Sequence, residues 1–161
     1  LILTLDPGAA SGVALWDHTG RLLAAAVLKP EQVLPWVVDF APVTVLVHER
    51  PQIYQRGKSK GDPNKLLDLY GQACTLAGEM HVRRVELLPA EWKGQLPKDV
   101  HHARILAGIT PEERERIPHC RISAKNPHGI DHNILDAIGL GLFHFSRQGR
   151  GGTPLTTKAT P

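Results

Sequence analysis

The sequence predicts one α/β domain built on a mixed sheet, and three features predict it. Residues 1–6 and 43–49 are short runs of β-forming residues, and the second run carries apolar side chains on both faces, as an interior strand does. A hairpin signal, Asp17-His18-Thr19-Gly20, and a helical pattern over 30–40 separate the two runs. The chain should therefore make antiparallel neighbours first and a parallel crossover afterwards. Apolar stripes at helical spacing then recur over 62–81 and 131–145. At 161 residues and 42% apolar, the chain is long enough for one domain with a core on both sides of a sheet.

Taken in order, residues 1–5 read as a strand that runs into Asp6 and is stopped by Pro7-Gly8. Small residues lead to a second strand at 13–16, and after the turn a return strand spans 22–28, completing a three-stranded meander. Val33, Trp36, Val37 and Phe40 recur at helical spacing; Pro35 must sit in that helix's first turn or break it. The interior strand at 43–49 ends in Glu49, followed by Arg50-Pro51. Residues 50–65 read as a polar loop in which Arg50, Arg56, Lys58, Lys60 and Lys65 surround Tyr54 and outnumber Asp62. A solvated loop is one reading of it; an arm that follows phosphates and offers a ring to a base is the other.

Asp62-Pro63 opens a helix as N-cap and first-turn proline, with Leu66, Tyr70, Ala73, Ala77 and Met80 on its apolar stripe to about residue 81. Gly71 and Gly78 weaken that helix, and close packing would justify them. A strand at 82–88 precedes a loop over 89–98 holding Lys93 and Lys98, and a helix follows from about 99 to 107. Thr110-Pro111-Glu112-Glu113 is a capping-box start for a short charged helix. The stretch 119–129 reads as irregular. The last helix begins near Asp131 and buries Ile134, Leu135, Ile138, Leu142 and Phe145, with Gly139 and Gly141 allowing close approach to the sheet. Residues 146–161 read as a basic, disordered Gly/Thr/Pro-rich tail.

The totals narrow the function classes only broadly. A formal charge of +3 and 22% charged residues permit a polyanionic partner without requiring one. Cys74 and Cys120 have no metal-type spacing and make no disulfide framework, so reduced thiols in a cytoplasmic protein are the simplest expectation. No apolar run approaches ~20 residues, and neither a membrane span nor a signal peptide is expected.

The chemistry lies in Asp6, Glu49 and Asp136, which stand at two strand ends and early in the final helix. For Asp6 alone a turn-opening role serves equally well, because Asp-Pro-Gly is good turn chemistry. Gathered together, three carboxylates raise one another's pKa, and hard divalent cations relieve that repulsion. Two ions ~3.5–4 Å apart can promote hydrolysis of a phosphodiester.

Leu5-Asp6-Pro7-Gly8 with its hairpin, Val47-His48-Glu49 before a basic loop and long helix, and His132-Asn133-Ile134-Leu135-Asp136-Ala137 together resemble the RuvC-like Holliday junction resolvases of the RNase H-like (retroviral-integrase) superfamily. The resemblance spans roughly residues 1–145 and fits a phage-type or otherwise divergent member. It implies an RNase H-like fold with a five-stranded mixed sheet flanked by helices. It also implies a homodimer through the helix over 63–81 that nicks four-way DNA junctions with Mg²⁺ or Mn²⁺ in a bacterial or phage-infected cell. Asp6, Glu49 and Asp136 match the metal-binding, catalytic acids. The fourth ligand position falls on Asn133, a neutral amide where the family has Asp or His, and His132 or Asp131 are the alternatives. Lys93 and Lys98 resemble the family's DNA-contacting lysines, and Tyr54 lies near its junction-probing aromatic. Two other readings stay open: an RNase H or YqgF-type nuclease acting on RNA, and a junction-binding module with weakened catalysis. An ATPase of related fold would need far more chain.

Overall fold

A computed structural model describes residues 1–40, 42–50, 63–123 and 126–149. The elements run β1 (Ile2–Asp6), β2 (Ser11–Trp16), β3 (Leu22–Leu28), α1 (Pro30–Val38), β4 (Val45–Glu49), α2 (Pro63–Glu79), β5 (Arg83–Leu87), α3 (Pro89–Trp92), α4 (Lys98–Ala107), α5 (Pro111–Arg114) and α6 (His132–Arg147). They form the expected five-stranded mixed sheet, in the order β3-β2-β1-β4-β5. β1, β2 and β3 are antiparallel neighbours, whereas β4 lies parallel to both β1 and β5. The two parallel steps are carried by α1 and α2, as a parallel crossover requires.

Alternation along the strands divides the core into two layers. Leu3, Leu5, Val13, Leu15 and Leu46 face Val33 and Val37 of α1 and Ala73, Leu76 and Ala77 of α2. Ile2, Ala14, Trp16, Val45 and Val47 face the other way, toward Ile105 of α4 and Ile134, Ala137 and Ile138 of α6. α6 reaches the sheet closely because Gly141 has no side chain; a Cβ there would lie 2.3 Å from the Trp16 ring. Trp16 is fully enclosed, and its indole N–H donates to Thr4 Oγ1 at 3.0 Å. Thr4 in turn donates to the Ala137 carbonyl at 2.7 Å, fastening the sheet to α6 one residue past Asp136.

Some local expectations change. Pro35 lies inside α1, which starts at Pro30 and continues to Val38. Phe40 falls beyond the helix and is partly exposed, its ring 5.0 Å from Trp36 rather than in the core. α2 stops at Glu79 because His81 takes a left-handed conformation (φ 53). Gly71 and Gly78 do not serve close packing within the chain, since a Cβ at either would meet nothing within 4 Å. A helical turn, α3, occupies Pro89–Trp92 where a loop was expected, with Glu91 Oε2 accepting from the Leu88 N–H at 2.7 Å. α6 continues through Ser146 and Arg147, two residues into the expected tail; residues 150–161 lie outside the described residues.

Candidate active site

Strand periodicity places the first two acids. Asp6 follows Ile2 and Thr4 on the α6 side of β1, and Glu49 follows Val45 and Val47 on the same side of β4. The parallel register pairs Leu5 with His48, so Asp6 and Glu49 end neighbouring strands one residue beyond that pair. Asp136 comes from above. Asp131 caps α6, its Oδ1 accepting the Asn133 N–H at 2.8 Å, and Asp136 follows on the buried face of the first turns. Gly12, opposite Asp6 in the β1–β2 ladder, leaves room for this helix start, because a Cβ there would lie 1.8 Å from the Asn133 carbonyl oxygen.

The three carboxylates sense one another. Burial, followed by the charges of Asp136 and Glu49, pushes Asp6 up to about 7 against the partial offset of Lys93 and Lys98. Asp6 makes no hydrogen bond or ion pair with another described residue, so no partner relieves that pressure directly. Asp136 lies below its usual range: burial raises it, but the His102 hydrogen bond and the charges of Lys93, His102 and Lys98 outweigh burial.

Glu49 and Asp136 are each held from behind. Glu49 Oε2 accepts from Trp92 Nε1 at 3.0 Å and pairs with Lys93 Nζ at 2.8 Å. Lys93 also stands 4.6 Å above the Trp92 ring, and although burial works against its charge, Glu49, Asp136 and Asp6 raise its pKa. Asp136 Oδ1 lies 3.2 Å from His102 Nε2. With oxygens committed in this way, no group of three or more His, Cys, Asp or Glu among the described residues forms a ready-made ion site. The donor set nonetheless suits a hard cation: oxygen ligands, partly buried, with repulsion concentrated on one otherwise unpaired carboxylate.

The remaining site residues are distributed around this centre. Asn133 donates through Nδ2 to the Ala10 carbonyl at 3.0 Å, which ties the start of α6 to the β1–β2 turn. His132 is exposed, its Nδ1 3.8 Å from Asp131 Oδ1. Lys98 is exposed and lines a cleft of ≈ 420 Å³ with His102, Asn126, His128, Asp131 and His132. Arg50 is exposed, with Nε 3.8 Å from Glu86 Oε2 on the strand beside it. Tyr54, Arg56, Lys58 and Lys60 lie outside the described residues.

Sequence reasoning overlooked Thr4, Trp92 and His102. Trp92 fell in a stretch read as loop, and its partner Glu49 lies far away in the chain. His101-His102 is an unusual pair on a weakly apolar helix, which was the available signal for His102.

The fold defines the class, an RNase H-like α/β domain, in which the charges of Glu49 on the fourth strand and Asp136 on the last helix act on Asp6 at the end of the first strand. Among solved structures the chain is similar to Thermus thermophilus RuvC, with 19% identity, 93% of this chain and 97% of that chain covered, and a TM-score of 0.58. It is also similar to T. thermophilus RuvC in complex with Holliday junction substrate, at 17% identity, 93% and 96% coverage and a TM-score of 0.62. No family model matches the chain, and no curated protein matches it by sequence. The likeness is one of fold, which is RuvC-like over nearly the whole chain.

Proposed function

We propose that the protein is a structure-selective endodeoxyribonuclease that resolves four-way DNA junctions by metal-dependent phosphodiester hydrolysis. The observation that carries this reading is the acid centre itself: Asp6 and Glu49 end neighbouring parallel strands, and burial, followed by the charges of Asp136 and Glu49, pushes Asp6 up to about 7. Lys93 pairs with Glu49 and His102 with Asp136, but Asp6 has no such partner among the described residues, and a buried charge left without its partner costs several kcal/mol, on the order of 3–5. Asp6, Glu49 and Asp136 would hold Mg²⁺ or Mn²⁺ in a two-metal site, with the Asn133 amide oxygen or His132 as neutral further ligands. When bound, such ions would neutralise the phosphate and stabilise charge on the attacking and leaving oxygens.

The chain's own residues do the rest. Trp92 donates to Glu49, and His102 lies within hydrogen-bond distance of Asp136. Lys93 and Lys98, whose charges already act on Asp6, are placed to attract the DNA backbone beside the acids. The cleft along Lys98, Asn126 and His128 offers room for the strand that passes the centre. Arg50, and Tyr54, Arg56, Lys58 and Lys60 that follow it in the sequence, would supply further contacts to the DNA. Two opposed cuts require two centres, and α2 supports pairing with a second copy through its exposed Leu67.

Incubation with a synthetic four-way junction, a linear duplex and an RNA–DNA hybrid, with and without Mg²⁺ or Mn²⁺, tests the proposal. Paired nicks in the junction that require the ion support it. Binding without cutting would favour a binding module, and preferential cutting of the hybrid would favour an RNase H.

A further inference from the structure

α4 turns two adjacent histidines inward, and both are buried, His101 at 4% and His102 at 7% exposure. Enclosed imidazoles are costly unless they are hydrogen-bonded, so a helix that buries two of them next to a functional centre calls for a reason. For His102 the reason is visible: its Nε2 lies 3.2 Å from Asp136 Oδ1. His101 acts at one remove. Its Nε2 has no hydrogen-bond partner among the described residues, and its ring meets Trp92 edge-on at 5.1 Å. Trp92 is the residue whose N–H holds Glu49. One face of α4 thus stands behind two of the three carboxylates.

We propose that His102 is a positioning residue for Asp136, donating its Nε2–H to Oδ1 and thereby fixing how the carboxylate is presented to a divalent cation. This rests on the reading of Asp136 as an ion-holding acid. An ionised carboxylate only accepts hydrogen bonds, so the contact requires the proton on Nε2. No other hydrogen bond to Asp136 comes from a described residue, and removing this one frees the carboxylate to rotate. Groups that orient a metal-holding carboxylate typically account for about 10–100-fold in metal affinity or activity.

The test compares His102→Leu, which keeps bulk but lacks a donor, with His102→Gln, which retains an N–H at similar reach. Mn²⁺ affinity is measured by titration without DNA, kcat and KM are measured on a four-way junction, and a thermal melt checks the fold. The Leu variant should bind Mn²⁺ about 10–100-fold more weakly and lose kcat by a similar factor with KM little changed. The Gln variant should recover part of both. A Leu variant equal to the unmodified protein, or a Gln variant as impaired as Leu, overturns the inference. If the unmodified protein takes up no Mn²⁺, the underlying nuclease reading falls and takes this inference with it; uptake with an indifferent Leu variant overturns this inference alone. Should the Leu variant fail to fold, nitrogen NMR of the unmodified protein decides. A protonated Nε2 whose resonance shifts with Mg²⁺ supports the role, and a bare Nε2 refutes it.

Discussion

Asp6→Asn should make the metal-free protein more stable at neutral and alkaline pH, although it removes an acid that the proposed function places at the metal site. In the fold Asp6 is raised from 3.8 to about 7 by burial and by the charges of Asp136 and Glu49. A folded pKa raised in this way means that the stability contribution is fully present below the unfolded value and is lost as pH rises through the folded one. At about 1.36 kcal/mol per unit, the whole shift corresponds to about 4 kcal/mol. Between about pH 5 and about pH 8 the loss is about 3 kcal/mol, because part of it has already accrued by pH 5. Urea unfolding of both proteins across that range, in a chelator, reads this directly. Burial holds His48, His101 and His144 below their usual values, and they impose the opposite slope. They are common to both proteins, so they cancel in the difference. The advantage of the Asn variant should grow by about 3 kcal/mol from pH 5 to pH 8, and a saturating divalent cation should shrink it by stabilising only the unmodified protein. A difference independent of pH would show that Asp6 is not crowded by the other acids.

Other outcomes follow from particular contacts. Gly141→Ala should destabilise by about 1–3 kcal/mol in urea melts, because its Cβ would lie 2.3 Å from the Trp16 ring, whereas Gly78→Ala meets nothing within 4 Å and should stabilise by about 0.5–1 kcal/mol. Trp92→Phe removes the N–H on Glu49 and leaves a cavity where the indole packs in the core, so junction cleavage should fall and urea melts should show a loss of about 1–3 kcal/mol. Lys93→Ala should weaken junction binding and reduce the slope of log affinity against log salt by about one; an unchanged slope would remove Lys93 from the DNA surface. His101→Phe should reduce the loss of stability on acidification, leaving the part due to His48 and His144, since His101 falls to about 4 in the fold and its contribution, full above the unfolded value of 6.5, is lost as pH falls toward 4.

The strands and their acids were readable because local pattern determines them. A continuous apolar run and a terminal carboxylate are properties of five or six consecutive residues, and β1 and β4, buried on both faces up to their last residue, match the expected runs closely. Asp136 was singled out through the resemblance of 132–137 to a family motif; the structure buries it on the face of α6 that also buries His144. The contacts that hold the acids were not readable. Trp92 and Lys93 meet Glu49 only because β4 and β5 pair in register and α3 turns immediately after β5. A four-residue helix such as α3 lacks enough periods to stand out from a loop. Glu113 is a further case. Its capping box was evident, but it also accepts the Leu22 N–H at 2.6 Å while Arg116 donates to the Leu22 carbonyl at 2.8 Å. Side chains from α5 and the residues after it thus satisfy the start of the edge strand β3, and no local pattern announces such a long-range clasp.

Anomalous diffraction from crystals soaked in Mn²⁺ addresses the acid centre most directly. The proposal requires peaks bounded by oxygens of Asp6, Glu49 and Asp136, with the Lys93 ammonium drawn away from its present 2.8 Å contact with Glu49. If Lys93 stays on Glu49 and His102 on Asp136 at saturating Mn²⁺, with no density beside Asp6, the three acids are not a metal centre.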